Sequence, residues 1–211
     1  MSGDSVELSA GMASQICDQI RSVFSSPPSP SPVGSRALPP PLDVLVAEIS
    51  AVAAAAGKVF VHGVGREGLM MKALCMRLYH LGLSAHVVGD VTTPPVSAGD
   101  LLLASAGPGS FSTVDAICGV AKSAGARVAL LTARPEAGSG ACRSADAVAY
   151  IPAQTMADGE EESGAPLGAR LPMGSLYEGA LFVLFEMVVL RLAEVLGQAP
   201  SHLRSRHTNL E

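Results

Sequence analysis

Gly63, Gly65 and Gly68, with Arg66 and Glu67 between them, follow a short apolar run and precede residues at helical spacing. Glycines there admit backbone angles and close approaches that bulkier residues resist. The first N–H groups of a helix are unpaired and face whatever lies above the strand end, so this turn is suited to an anion. Arg66 adds a planar guanidinium fork. Glu178 stands early in a long apolar segment, beside Tyr177, Ala180 and Leu181. Burial there would raise its pKa toward the range a general base needs, whereas a plain charge at the positive helix end would need no reaction. His80 closes the first helical segment, where an imidazole can carry protons or simply complement the negative helix terminus. His207 lies in a tail expected to fray, so packing gives it little reason to be there. His62 and His86 fall in or beside strands and receive no role.

The elements that must position these groups alternate. Strands are expected at Val59–His62, Ala85–Val88, Leu101–Ser105, Val128–Leu131 and Ala147–Ile151, with helices at Leu69–Leu81, Thr113–Ala124 and Gly138–Arg143. Short continuous apolar strands alternating with helices predict a parallel sheet covered on both faces, an α/β/α arrangement. Ligands then sit outside the carboxyl ends of the strands. The loops Gly63–Gly68, Gly89–Thr93, Ala106–Thr113 and Thr132–Glu136, with Gln154, should share that rim. On the first helix Leu69, Ala73, Met76 and His80 recur on one face.

Residues 1–41 read as an N-terminal helix, with Leu8, Met12, Ile16, Ile20 and Phe24 at four-residue spacing, followed by a Ser/Pro-rich linker. Residues 42–200 read as the main domain, opening with a helix over Leu42–Ala56 and closing with one over Leu176–Leu196 that is apolar on nearly all sides. Such a helix is expected in a large core or an oligomer interface. Residues 201–211 form the tail. The acidic, Gly-rich stretch Met156–Arg170 reads as a solvated loop.

A hydrophobic content of 48% against 16% charged residues excludes a disordered chain, and 4% aromatic residues without Trp leave the core to aliphatic side chains. A net charge of −5 with no basic run argues against nucleic acid as a partner. Glu186, Arg191 and Glu194 interrupt the most apolar segment, which argues against a membrane span. No basic flank precedes an apolar core near Met1, and the scattered Cys17, Cys75, Cys118 and Cys142 suggest reduced thiols rather than disulfides or a zinc site. A cytoplasmic protein is expected. The turn Gly63–Gly68 also fits a dinucleotide fingerprint, with Asp90 as the acidic residue about twenty positions on. On that stretch alone a dehydrogenase stays open.

Several stretches together favour another reading. Gly63-Val64-Gly65-Arg66, Met76-Arg77-Leu78 with His80-Leu81-Gly82, and Val88-Gly89-Asp90-Val91-Thr92-Thr93-Pro94 resemble the hexulose-6-phosphate isomerases of the sugar-isomerase (SIS) superfamily. So do Gly99-Asp100-Leu101-Leu102, Leu171-Pro172-Met173-Gly174, Glu178 and Arg206-His207-Thr208-Asn209-Leu210. The resemblance implies a five-stranded parallel sheet of flavodoxin-like topology and a homotetramer. It implies interconversion of D-arabino-hex-3-ulose 6-phosphate and fructose 6-phosphate through an enediol, without metal or organic cofactor. It implies Glu178 as base and His80 in proton transfer at the sugar oxygens or in ring opening. Substrate and phosphate would be held by Gly65, Arg66, Thr92, Thr93, Ser105, Gly107, Ser110, Thr113 and His207. Ser105, Ser110 and Thr113 would serve equally as helix caps, and Thr92 and Thr93 as turn formers before Pro94.

The chain departs from the family at two places. Glu67 replaces a serine, and Ser105-Ala106-Gly107-Pro108-Gly109-Ser110 stands where Ser-Gly-Ser-Gly-x-Thr is usual. Pro108 removes an N–H donor. A carboxylate at Glu67 opposes phosphate unless it points away or pairs, with Arg66 or Lys72 as partners. A sugar-phosphate-binding module with a regulatory role is the alternative to an enzyme.

Overall fold

The computed structural model describes residues 3–25, 38–158 and 171–210. Strands β1 (Lys58–His62), β2 (Ser84–Val87), β3 (Leu101–Ser105), β4 (Arg127–Thr132) and β5 (Ala147–Tyr150) make one parallel sheet in the order β2-β1-β3-β4-β5. The helices are α1 (Gly3–Ser25), α2 (Pro41–Ala54), α3 (Gly65–His80), α4 (Ser112–Ser123), α5 (Gly140–Ser144), α6 (Ser175–Val195) and α7 (Pro200–Ser205). The expected strand and helix order is thus present, with boundaries shifted by a few residues.

Strand alternation divides the interior into two cores. Val59, Val61, Leu101, Leu103, Ala129 and Leu131 face one core, packed by α2, α3 and α6. Phe60, Leu102, Ala104, Val128 and Leu130 face the other, packed by α4 and α5 through Val114, Cys118, Ala121 and Ala141. All of β3 is buried because it is covered on both sides. Each fully buried Leu of β3 contributes roughly 1.5–3 kcal/mol relative to exposure. Cys75 and Cys118 are buried within these layers, and burial pushes their thiols up to about 11 and about 12.

The amino ends of β1 and β3 are fastened by one side chain. Asp100 accepts from the backbone N–H of Lys58 (2.8 Å) and Ser97 (2.8 Å) and from Ser97 Oγ (2.9 Å), and it pairs with Lys58 Nζ at 3.0 Å. At the opposite edge the chain leaves β1 toward β2 on one side and β3 on the other. This order reversal opens a crevice between the loops after β1 and β3.

Two expectations need correction. The inward face of α3 is Met71, Leu74, Cys75 and Leu78, while Leu69 and Met76 point outward, 58% and 52% exposed. The reason is Gly68, at which a Cβ would lie 2.6 Å from the Gly63 carbonyl oxygen. That close approach fixes the inward face at 68, 71, 75 and 78. The tail is also not frayed. Pro200 opens α7, and Arg206 Nη1 donates to the carbonyl of His80 (2.9 Å) and to Gln198 Oε1 (3.0 Å), meeting the C-terminal end of α3. On α6, Leu181, Leu184, Val188 and Leu192 pack inward, while Phe182, Leu190 and Val195 are exposed on the single chain.

The C-terminal part of α1 packs on α6, where Gly179 leaves room for Ile20 and Val23 is buried. Val6, Leu8 and Met12 are exposed. Most of the Ser/Pro-rich linker (26–37) and of the acidic loop (159–170) lies outside the described residues. Among the described residues no helix is long and apolar enough to cross a membrane.

Candidate active site

Three chain entries meet at the crevice. After β1, Gly65 (φ 57°) turns the chain into α3, whose N-terminus lacks a side-chain cap. After β3, the segment from Ser105 to Phe111 leads into α4, likewise uncapped by a side chain. Before α6, Met173 (φ 49°) and Gly174 (φ 78°) both adopt left-handed backbone. That is costly for Met173, on the order of 1–3 kcal/mol. A Cβ at Gly174 would lie 2.8 Å from the Met156 nitrogen. This sharp entry aims Tyr177 and Glu178 into the crevice.

Glu178 is largely buried, its side chain 13% exposed, and its Oε2 lies 3.0 Å from Arg66 Nη2. The contact is an ion pair without hydrogen-bond alignment, since the same oxygen has no aligned donor. Arg66 Nη1 donates instead to Ser175 Oγ at 2.8 Å. Burial raises the Glu178 pKa, and the Arg66 charge acts against that rise. A pocket of about 260 Å³ opens over the pair, lined by Gly65, Arg66, Glu67, Phe111, Tyr177 and Glu178 among others. Two other pockets, bordered by Leu42 and Leu184 and by Phe60 and Val96, are apolar and contain no carboxylate, imidazole or guanidinium.

Glu67 neither points away from the site nor pairs with Arg66 or Lys72. Its carboxylate is buried and accepts from Ser105 Oγ (2.5 Å) and from the Gly107 N–H (3.0 and 3.2 Å). Two of the donors expected to hold a ligand phosphate are therefore engaged by a side chain. Burial raises the Glu67 pKa; the Ser105 and Gly107 bonds oppose the rise, and Glu178 adds to it. Tyr177 is buried beneath, its hydroxyl 3.4 Å from Ser105 Oγ, and burial holds its phenol well above the ordinary value. Because Ser105 gives its proton to Glu67, its oxygen is left to accept from Tyr177.

The remaining residues singled out by sequence are dispersed. Ser110 Oγ donates to Asp115 Oδ2 (3.1 Å) and Thr113 is exposed on the first turn of α4. Thr93 Oγ1 donates to the Val87 carbonyl (2.6 Å), a turn-forming role, and Thr92 is exposed. His80 and His207 stack on one another, ring centroids 5.4 Å apart, at the far end of α3. With 16 residues in α3, that end lies roughly 20 Å from Arg66. One chain thus brings together Gly65, Arg66 and Glu178, and does not bring His80 to Glu178. Tyr177, Phe111, Thr155 and Ser175 line or brace the pocket without having been singled out. For Tyr177 and Ser175 the available signal was proximity to Glu178 on one helical turn.

No family model matches the chain. A Mycobacterium gastri protein named 3-hexulose-6-phosphate isomerase is 44% identical over 155 residues, spanning 74% of this chain and 74% of that protein. A Bacillus subtilis (strain 168) protein of the same name is 36% identical over 154 residues, 73% of this chain and 80% of that one. Among solved structures, a Methanococcus jannaschii protein for which a 3-hexulose-6-phosphate isomerase function was inferred superposes with a TM-score of 0.71 at 24% identity, covering 94% of this chain and 98% of its own. An E. coli CFT073 protein, solved in complex with a sugar phosphate, gives 0.68 at 19% identity over 99% of this chain and 100% of its own.

Proposed function

The chain belongs to the 3-hexulose-6-phosphate isomerase family, sugar-phosphate isomerases on the SIS-domain fold, and on that premise we propose that it interconverts D-arabino-hex-3-ulose 6-phosphate and fructose 6-phosphate. The observation that carries this reading is Glu178: a carboxylate of raised pKa, largely buried, facing a pocket and held beside a guanidinium. Moving the carbonyl from C3 to C2 requires removal of the C2 proton, an enediol, and return of a proton at C3. Glu178 takes the proton as base and returns it as acid. The O2 proton is lost and O3 gains one, so the step is redox-neutral and calls for no electron acceptor. Arg66 favours the ionised form of Glu178 and offers its outer face to a substrate anion.

Thr113 on the first turn of α4 supplies a donor for the phosphate together with Arg66 and the Gly65 turn, Ser110 joins it by releasing Asp115, and Thr92 and Thr93 border the rim. Within one chain His80 is a helix length from Glu178, so proton transfer by His80, with His207 beside it, requires a neighbouring subunit. A homotetramer is the assembly proposed, with 42–200 as the catalytic domain, 1–41 as N-terminal helix and linker, and 201–211 contributing to the site or interface. Assaying the purified protein for both directions of hexulose 6-phosphate interconversion tests the reaction. Saturable sugar-phosphate binding without turnover would replace it with a binding module.

The pH profile is a second check. A raised carboxyl pKa means that the base form is lost as pH falls through a value above 4.5. The acid limb of kcat/KM should therefore lie above that of an ordinary carboxylate, and Arg66→Gln should displace it further upward. A limb unchanged by Arg66→Gln would argue against Glu178 as the titrating base.

A further inference from the structure

Glu67 is held the way a bound oxyanion is held. It sits on the first turn of α3, 6% exposed, and its donors, Ser105 Oγ and the Gly107 N–H, are neutral groups. They belong to the end of β3 and the turn toward α4, on the edge of the sheet where open α/β folds place ligands. The fit is tight: a Cβ at Gly107 would lie 3.0 Å from Glu67 Oε1 and 3.0 Å from the Tyr177 ring. Tyr177 closes the floor below Ser105. Arg66, next to Glu67 in sequence, is committed to Glu178 and Ser175.

We propose that Glu67 is a resident anion and a specificity-determining residue: it fills the inner anion seat formed by Ser105 and Gly107 and confines the substrate phosphate to the outer rim of the pocket. This rests on the sugar-phosphate reading above. A phosphate oxygen at the inner seat would need the two donors already engaged and would meet a like charge at contact distance. The neutral, hydroxyl-bearing end of the sugar therefore faces inward, toward Glu178.

Inorganic phosphate is the probe. In Glu67→Ser the seat is vacated and its donors are freed. Each hydrogen bond to a charged group is worth enough to shift affinity by an order of magnitude, so Glu67→Ser should bind phosphate at least about 10-fold more tightly than the wild type by calorimetry. Adding Ser105→Ala should abolish the gain. Equal affinity in wild type and Glu67→Ser, or a gain that survives Ser105→Ala, overturns the proposal. Should Glu67→Ser unfold, its recovery by phosphate or formate, followed by thermal melting, becomes the readout, since a ligand that binds only the folded state stabilises it. Absence of anion-dependent recovery also overturns the proposal. Wild-type turnover on hexulose 6-phosphate is scored separately. Its absence sinks the isomerase reading while a Ser105-dependent phosphate gain would still establish the resident anion.

Discussion

Glu178→Gln is expected to lower kcat by about 10²- to 10⁴-fold, the range by which a positioned general base accelerates proton transfer. The amide matches the carboxylate in size and still reaches Arg66, so the pocket keeps its shape while the proton acceptor is gone. Losing the ion pair removes one exposed partner's charge contact and should leave thermal stability within about 1 kcal/mol, since Arg66 is more than half exposed. KM should change far less than kcat, because the lost interaction belongs to the transition state. Solvent exchange of the C3 proton of fructose 6-phosphate, followed by NMR, gives an independent reading and should slow in parallel. Near-normal kcat and exchange would remove Glu178 from the chemistry.

Asp100→Ala should have the largest effect on stability, about 3–5 kcal/mol, the cost of removing a buried carboxylate that holds several donors and half of a partly buried ion pair. It deprives the Lys58 and Ser97 N–H groups and the Lys58 ammonium of their acceptor at once. Asp100 lies at the amino edge of the sheet, away from the pocket, so kcat per folded molecule should be unchanged. The same group governs acid stability. Burial works to raise its pKa, but the bonds from Lys58 and Ser97 outweigh burial and leave it lowered from the ordinary 3.8. A depressed folded pKa contributes stability that is present above the unfolded value and lost as pH falls through the folded one. In chemical denaturation the gap between wild type and variant should therefore narrow as pH falls through the ordinary value of 3.8 and below it. A constant gap across that range would assign the effect to packing.

Most of the fold was legible because its signals are local. The runs at Val59, Leu101 and Val128 are too short for helices and too continuous for a half-exposed sheet, which leaves a parallel sheet between helices. The facing of α3 was hidden because Leu69 and Met76 are as apolar as Met71 and Leu78. Only the backbone approach of Gly63 and Gly68 decides between the two faces. In the site, Arg66 and Glu178 were nameable one by one, but their pairing across 112 positions was not. Glu67 is recognisable as a misfit for phosphate, yet charge alone points to the wrong partners for it. Desolvation and neutral donors choose otherwise, since Ser105 and Gly107 are what the sheet presents to that side chain. Anchoring of the tail depends on Arg206 finding a helix end 126 residues away, which no pattern in the tail discloses.

The missing side chain at Gly107 has a bearing on how such a pocket can change over generations. A side chain there crowds Glu67 and Tyr177 together, each 3.0 Å from the first added carbon, so shortening Glu67 alone does not relieve the Tyr177 contact. Substitutions at 67, 105, 107 and 177 are thus tolerated in some orders and not in others. A route toward an open inner seat begins at Glu67, with Gly107 retained throughout. The four positions touch one another, so their substitutions should not add independently.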